Sequence, residues 1–234
     1  MSAVATCEAK SRTYALTGIR RMVAQKMVRS LAEAAQLTFH GEADITRLQT
    51  WRRDQAAAGR RISLEDVVLW AYVRALAEQP LFNSTLDGDS VTEHSSVALA
   101  VAITSTSGLV TPVIRGAERL DLDGIAAARS DLVDRAKVGG ISVAEMKGAS
   151  STLSNLGRSR VRFFTPILNH PQVAILGVGM IGEGLGLTAD GTVEARQSLG
   201  LSLTVDHRLI DGAPAAAFLG TVCARLEGVA HGDV

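Results

Sequence analysis

Apolar positions along the 234-residue chain follow two periods, and these divide it into helix-like and strand-like stretches. In "LTGIRRMVAQKMVRSLAEAAQ", Ile19, Met22, Val23, Met27 and Leu31 recur at helical spacing. "LTFHGEADIT" alternates and predicts a strand despite its glycine. "TRLQTWRRDQAAAG" predicts a short helix ending at Gly59. "ISLEDVVLWAYVRALAEQP" predicts an amphipathic helix with Ser63 as N-cap, Asp66 supporting the cap, and Pro80 as the stop. "LDGDS" predicts a turn, and "SSVALAVAIT" and "GLVTPVI" predict two strands joined across Ser107-Gly108. "LDLDGIAAARSDLVDRAKVGG" predicts a helix closed by a glycine pair. "SSTLSNLG" predicts a short strand running into a turn. "QVAILGVGMIG" predicts a buried strand followed by glycines. "TVEARQSLGLSLTVDHRLIDG" predicts one or two strands around a glycine, and "APAAAFLGTVCARLEGV" a closing helix with proline near its first turn.

Helices and strands mix without a strict strand-helix-strand beat, and several strands follow one another directly. The expected class is therefore α/β (α+β), a mixed sheet flanked by helices. No linker, repeat or low-complexity stretch divides the chain, so residues 1–15 are expected to form a flexible arm and 16–234 one domain.

Nearly half of the residues are apolar, enough for a sizeable core, and the formal net charge is zero. That balance offers no whole-protein field for nucleic acid or an anionic membrane. No apolar run approaches the roughly 18 residues of a membrane span, and the start lacks the plan of a secretory signal. Cys7 and Cys223 form no disulfide framework, which points to a reducing, cytoplasmic setting.

"GVGMIG" (177–182) fits the spacing of a dinucleotide fingerprint, but "EGLGLTADG" behind it is too glycine-rich to open the helix that would face a pyrophosphate. A strand exit, or close approach of the backbone to a ligand, is the better reading. Neither a nucleophile elbow nor a P-loop is present. His40, His94, His170, His207 and His231 are scattered, so no metal site is expected. "GRSRVRFF" sets Arg158, Arg160 and Arg162 on alternate residues, which suits either a strand edge or a partner for phosphates. In "LTVDHRLIDGAP", a strand ends at an imidazole, with Asp211-Gly212 turning into the last helix. A general base needs such placement, and so does a structural histidine; the spacing leaves both open.

The D-H-R-x-x-D-G motif followed by "APAAAFL" resembles the signature of the dihydrolipoamide acyltransferases, the core subunits of 2-oxo acid dehydrogenase complexes. "LTGIRRMVAQKM", "SLEDVVLWAYVRALAEQPLFNSTLDGD", "GLVTPVIRGAE", "STLSNLG" and "FFTPILNHPQVAILGVG" follow in that family's order, so the resemblance covers roughly residues 16 to 229. It implies a chloramphenicol acetyltransferase-like fold, homotrimers with active sites between subunits, and S-acyl transfer between a dihydrolipoyl arm and coenzyme A. His207 would be the general base, because a thiol with a pKa of about 8.5 is mostly protonated at neutral pH. Ser154, in the "LSN" turn, would stabilise the oxyanion, a contribution of about 3 kcal/mol, with Thr152 as the fallback. Asp211 would brace the histidine loop through Arg20 or Arg21, Arg208 would be structural, and Arg52, Ser63, Ser154, Asn155 and Gly179 would contact coenzyme A.

Some positions depart from that pattern. Thr104 stands where an aspartate is usual, three arginines replace a glycine-aromatic turn, and "FHGEADI" lacks an aromatic pair. No lysine follows an aspartate, so the lipoyl group is expected in trans or from a missing segment, with dehydrogenase and lipoamide dehydrogenase components as further partners. The ending "LEGVAHGDV" offers little apolar surface, which suggests that assembly stops at trimers. Alternatives are another acyltransferase of this fold, disfavoured by Asp206 where those often carry a second histidine, and a non-catalytic core subunit. The acyl group is not specified by these motifs.

Overall fold

The computed structural model describes residues 11–106, 108–188 and 190–229. The first ten residues of the expected arm, Ser107 of the expected strand joint, and His231 lie outside them. Residues 11–17 carry no regular structure, and α1 then spans Gly18–Glu33. β1 (Gln36–Asp44), α2 (Thr46–Ala57) and α3 (Leu64–Glu78) follow. The helix α3 starts as the sequence predicts. Ser63 accepts a hydrogen bond from the Asp66 amide, and the Asp66 carboxylate accepts one from the Ser63 amide at 2.7 Å.

The "LDGDS" turn joins a hairpin, β2 (Ser84–Asp87) and β3 (Ser90–Glu93). The two strands expected next are broken into four: β4 (Ala98–Val101), β5 (Ile103–Ser105), β6 (Gly108–Val110) and β7 (Val113–Arg115). The break reflects a change of sheet: β4 and β7 pair within the main sheet, whereas β5 and β6 pair with each other in a separate two-stranded ribbon. α4 (Leu122–Lys137), β8 (Ser151–Asn155), β9 (Ala174–Leu187), β10 (Val193–Asp206) and α5 (Gly212–Gly228) complete the chain.

A six-stranded mixed sheet runs β1-β10-β9-β8-β4-β7. β8 lies parallel to β4 and β9, and the other pairs are antiparallel. Its two faces differ sharply. Leu199, Leu201, Leu203 and Val205 of β10 point into the main core with α3 and α5, where Phe82 stacks on Phe218 at 3.9 Å. The alternate residues Ser198, Ser202, Thr204 and Asp206 face the other way, beside Thr38 and His40 of β1 and Thr152 and Ser154 of β8. Four of these polar groups pair across β1 and β10: Thr38 bonds Thr204 at 2.7 Å, and His40 Nδ1 bonds Ser202 at 2.9 Å.

The "GVGMIG" glycines lie within β9, which corrects the expectation of a strand exit. β9 bulges at Gly179-Met180 opposite Gly200. The strap formed by residues 156–162 fills the gap in the ladder: the Leu156 amide bonds the Val178 carbonyl, and the Met180 amide bonds the Val161 carbonyl, both at 2.8 Å. A Cβ on Gly179 or on Gly200 would overlap the Arg162 carbonyl oxygen. The close approach that these glycines permit is therefore made by the chain's own backbone.

Gly200→Ala is expected to lower stability by about 1–3 kcal/mol, because the strap cannot move without breaking the bulge bonds. Gly184→Ala is the control, since a methyl there meets nothing within 4 Å. Urea unfolding of both variants checks the contrast.

Candidate functional site

Asp206 ends β10 and is buried, with 2% of its surface exposed. It accepts a two-pronged bond from Arg208, Nη2 to Oδ2 at 2.6 Å and Nε to Oδ1 at 3.0 Å, together with the Arg208 and Ala35 amides. Burial opposes its charge, but the Arg208 pair outweighs this and holds the carboxyl below the usual range. Arg208 thus pairs with the buried carboxylate that ends β10. The Asp206 carbonyl takes the Leu209 and Ile210 amides at 3.0 Å, and the His207 amide bonds Ala35 at 2.8 Å. This turn presents the His207 imidazole, 44% exposed, with Nδ1 4.0 Å from the Asp211 carboxylate.

Asp211 stands at the N-cap of α5 yet makes no side-chain cap bond, so its carboxylate is left to face the imidazole. No ion pair joins it to Arg20 or Arg21 among the described residues; its ion-pair contact is His207 itself.

Ser154 pairs with Gly177, which pairs with Ser202, which pairs with His40, so these four share one rung. Asp206 lies four residues past Ser202, about 13 Å along the strand, and β10 is two spacings of about 4.8 Å from β8. The Ser154 backbone is therefore on the order of 15 Å from that of His207 within one chain. The Ser154 hydroxyl makes no hydrogen bond among the described residues. The fallback, Thr152, is buried and donates to Gln172 at 2.6 Å.

Arg52, Ser63, Asn155 and Gly179, from α2, the α3 cap, β8 and β9, meet around one cavity of about 330 Å³. Glu65, Arg129 and Arg158 also line it. A neighbouring cavity of about 480 Å³ shares Glu65, Arg129, Asn155 and Arg158 and adds Thr104; a third, of about 600 Å³, shares Arg52, Ser63 and Arg129 and adds Arg53 and Arg61. The three form a cationic trough that spans several elements.

Its charges are not equivalent. Arg129 reaches the buried Asp66 through a short Nε–Oδ1 bond and lies 3.8 Å from Glu65; burial works against its charge, but Asp66 more than compensates. Arg52 donates to the Ile62 carbonyl at 3.0 Å and to Gln49 at 2.7 Å and makes no ion pair with a carboxylate among the described residues. Burial lowers its affinity for the proton, and Asp66 offsets this only partly. Ser63 donates its hydroxyl proton to Asp66 at 2.6 Å and accepts from the Asp66 amide, which leaves a lone pair but no proton for a ligand. Asn155 accepts the Gly157 amide at 2.7 Å and pins the strap turn at the cavity edge.

The three arginines of the strap divide their work. Arg162 donates to Glu42 at 2.7 Å and is structural, Arg158 lines the cavity, and Arg160 is exposed. The sequence reading missed Arg129. It stands on α4 between Ile125 and Leu132, in the stripe whose other members are buried. A cation in an apolar stripe was the available signal.

The family model for 2-oxoacid dehydrogenases acyltransferase (catalytic domain) matches residues 8–231, and the chain belongs to that family. It is 38% identical over 225 residues to the dihydrolipoyllysine-residue acetyltransferase component of the acetoin cleaving system of Bacillus subtilis, a match covering 94% of this chain and 56% of that protein. The chain spans about half the length of the curated relatives it matches. The solved dihydrolipoamide acetyltransferase of Azotobacter vinelandii aligns with a TM-score of 0.88 at 31% identity, over 98% of this chain and 97% of that one. That structure was studied for the catalytic role of a serine, a histidine and an asparagine, the asparagine four residues beyond the histidine. A chloramphenicol acetyltransferase aligns with a TM-score of 0.55 at 19% identity, over 87% of this chain and 92% of that one, which shows the shared fold. Among the described residues, no helix is long and apolar enough to cross a membrane.

Asp206→Asn is expected to cost about 2–4 kcal/mol, since it loses half of a largely buried pair. Because the folded carboxyl titrates below its unfolded value of about 3.9, this stabilisation is complete above that pH and fades as pH falls through the lower folded value. Unfolding midpoints of parent and variant should therefore converge in acid; a constant gap across pH would contradict this.

Proposed function

We propose that the protein is an S-acyltransferase that moves an acyl group between dihydrolipoyl-lysine and coenzyme A. The observation that carries this reading is the single cavity joining Arg52, Ser63, Asn155 and Gly179 next to the Ser154 rung. These residues come from four separate segments, and the cavity they build carries a half-buried guanidinium whose burial Asp66 offsets only partly, with no carboxylate in ion-pair contact among the described residues. A ligand bearing phosphates suits that charge.

In this reading His207 is the base. With Nδ1–H turned toward Asp211, Nε2 takes the proton of the attacking thiol, and the sulfur forms its bond to the thioester carbonyl carbon as the other carbon–sulfur bond breaks. His207 then returns the proton to the departing sulfur. Ser154 donates its unengaged hydroxyl to the oxygen on which negative charge develops. Asp211 orients the imidazole, and Asp206 with Arg208 holds the turn. The lipoyl group is supplied by another domain or chain, and dehydrogenase and lipoamide dehydrogenase components are expected partners in a larger complex.

The offset of His207 from Ser154 means that one chain cannot join them. We infer a homotrimer whose sites each take the histidine from one subunit and the serine from its neighbour. The exposed apolar residues of α1, including Met22, Val28 and Leu31, are surfaces available for that packing.

Thioester exchange between acyl-coenzyme A and free dihydrolipoamide tests the activity. His207→Ala is expected to reduce turnover about 10²–10⁴-fold, and Ser154→Ala about 10²–10³-fold. Co-refolding the two inactive variants should restore activity, because mixed assemblies contain intact histidine–serine pairs. Failure of the mixture, with trimers formed, would refute a shared site. Absence of exchange in the parent protein would refute the reaction.

A further inference from the structure

We infer that Arg158 acts with Arg52 as a clamp for a phosphomonoester, and so makes the site select coenzyme A over its analogue lacking the 3′-phosphate. This rests on the proposed acyltransferase reading and adds a specificity residue to it.

Of the three arginines lining the 330 Å³ cavity, Arg129 is already neutralised by Asp66 and Glu65. Arg52 and Arg158 remain. Arg52 spends two donors on Ile62 and Gln49 and makes no ion pair among the described residues, with Asp66 acting on it only through space. The Arg158 side chain makes no hydrogen bond or ion pair among the described residues. Each guanidinium carries five N–H donors, so both keep several to offer. Two guanidiniums without an ion-pair partner among the described residues favour a group of concentrated charge; a phosphomonoester carries a charge near −2 on one phosphorus at neutral pH, whereas a diphosphate diester spreads that charge over two.

Placement of Arg158 is also fixed. Its turn is held by the Gly157 amide on Asn155 at 2.7 Å, the Ser159 amide and hydroxyl on the Leu156 carbonyl, and the Val161 amide on the Ser159 hydroxyl at 3.1 Å. The strap below it is locked into the β9 bulge. The Arg158 backbone is therefore set at the cavity mouth while its long side chain stays free to close on a ligand. Ser63 cannot share this task, because a phosphate oxygen needs a donor and the Ser63 proton is already given to Asp66.

The test compares coenzyme A with dephospho-coenzyme A as acceptors in thioester exchange, for the parent, Arg158→Met and Arg158→Lys. The parent should prefer coenzyme A, chiefly through KM. Arg158→Met should reduce that preference roughly ten- to hundredfold, the range of a charge-assisted hydrogen bond, with the loss falling on coenzyme A more than on the analogue. Arg158→Lys should keep part of it and should lose more of it as salt rises. Equal use of both acceptors by the parent would overturn the clamp and leave the acyltransferase reading intact. So would an Arg158→Met variant that discriminates like the parent. If the parent catalyses no exchange at all, the acyltransferase reading fails. Calorimetric binding of adenosine 3′,5′-bisphosphate then decides the clamp by itself: weaker binding by Arg158→Met supports it, and no binding by the parent overturns it.

Discussion

The rest of the site depends on one backbone event, the bulge of β9 at Gly179-Met180. A bulge leaves an amide without a ladder partner, and a buried amide without a partner costs about 1–3 kcal/mol. Here Val161 supplies the acceptor, so the strap must lie flat on the sheet. It can do so only where no Cβ intervenes, at Gly179 and Gly200. Once the strap is down, Asn155 and the 157–160 turn are fixed over the end of β8, and the cavity has its wall. Remove the bulge and β9 continues straight; the wall, the turn and the polar rung then lose their common frame.

Elements whose cause is local were readable in the sequence. The α3 cap, the Pro80 stop, the alternation of β1 and the start of α5 each arise from residues within a turn of one another. Elements whose cause is distant were not. Glycine disfavours strands, so "GVGMIG" read as an ending, yet the ladder to β10 and the strap hold it extended. The division into β4 to β7 was hidden for the same reason, since it depends on which strands pair: β4 and β7 join the main sheet, and β5 and β6 pair only with each other. Of the site, His207, Ser154 and the four cavity residues came from the family resemblance; their geometry came from the fold. Arg129 escaped because its partner, Asp66, is 63 residues away.

The trough also illustrates how a cation can be stored. Arg129 sits in an apolar stripe only because Asp66 neutralises it, and Asp66 is buried only because Ser63, its amide and Arg129 saturate the carboxylate. That closed set is structural. Arg52 differs: a carbonyl and an amide oxygen support it, no carboxylate is in ion-pair contact with it among the described residues, and Asp66 offsets its burial only partly. A half-buried guanidinium of this kind is costly without an anion beside it, which is the physical ground of the proposed binding role.

The two aspartates around His207 follow the same distinction. Asp206 and Asp211 are five residues apart, but one is 2% exposed and bonded to Arg208, and the other is 84% exposed and bonded to no helix amide. The first fixes where the imidazole begins; the second lies 4.0 Å from the ring nitrogen. Loss of Asp206 therefore acts through the fold. An N-cap carboxylate usually gains about 1 kcal/mol by bonding helix amides. Leaving that bond unmade keeps the Asp211 oxygen within ion-pair reach of Nδ1, a local sacrifice of helix stability that makes sense only if the ring's orientation matters.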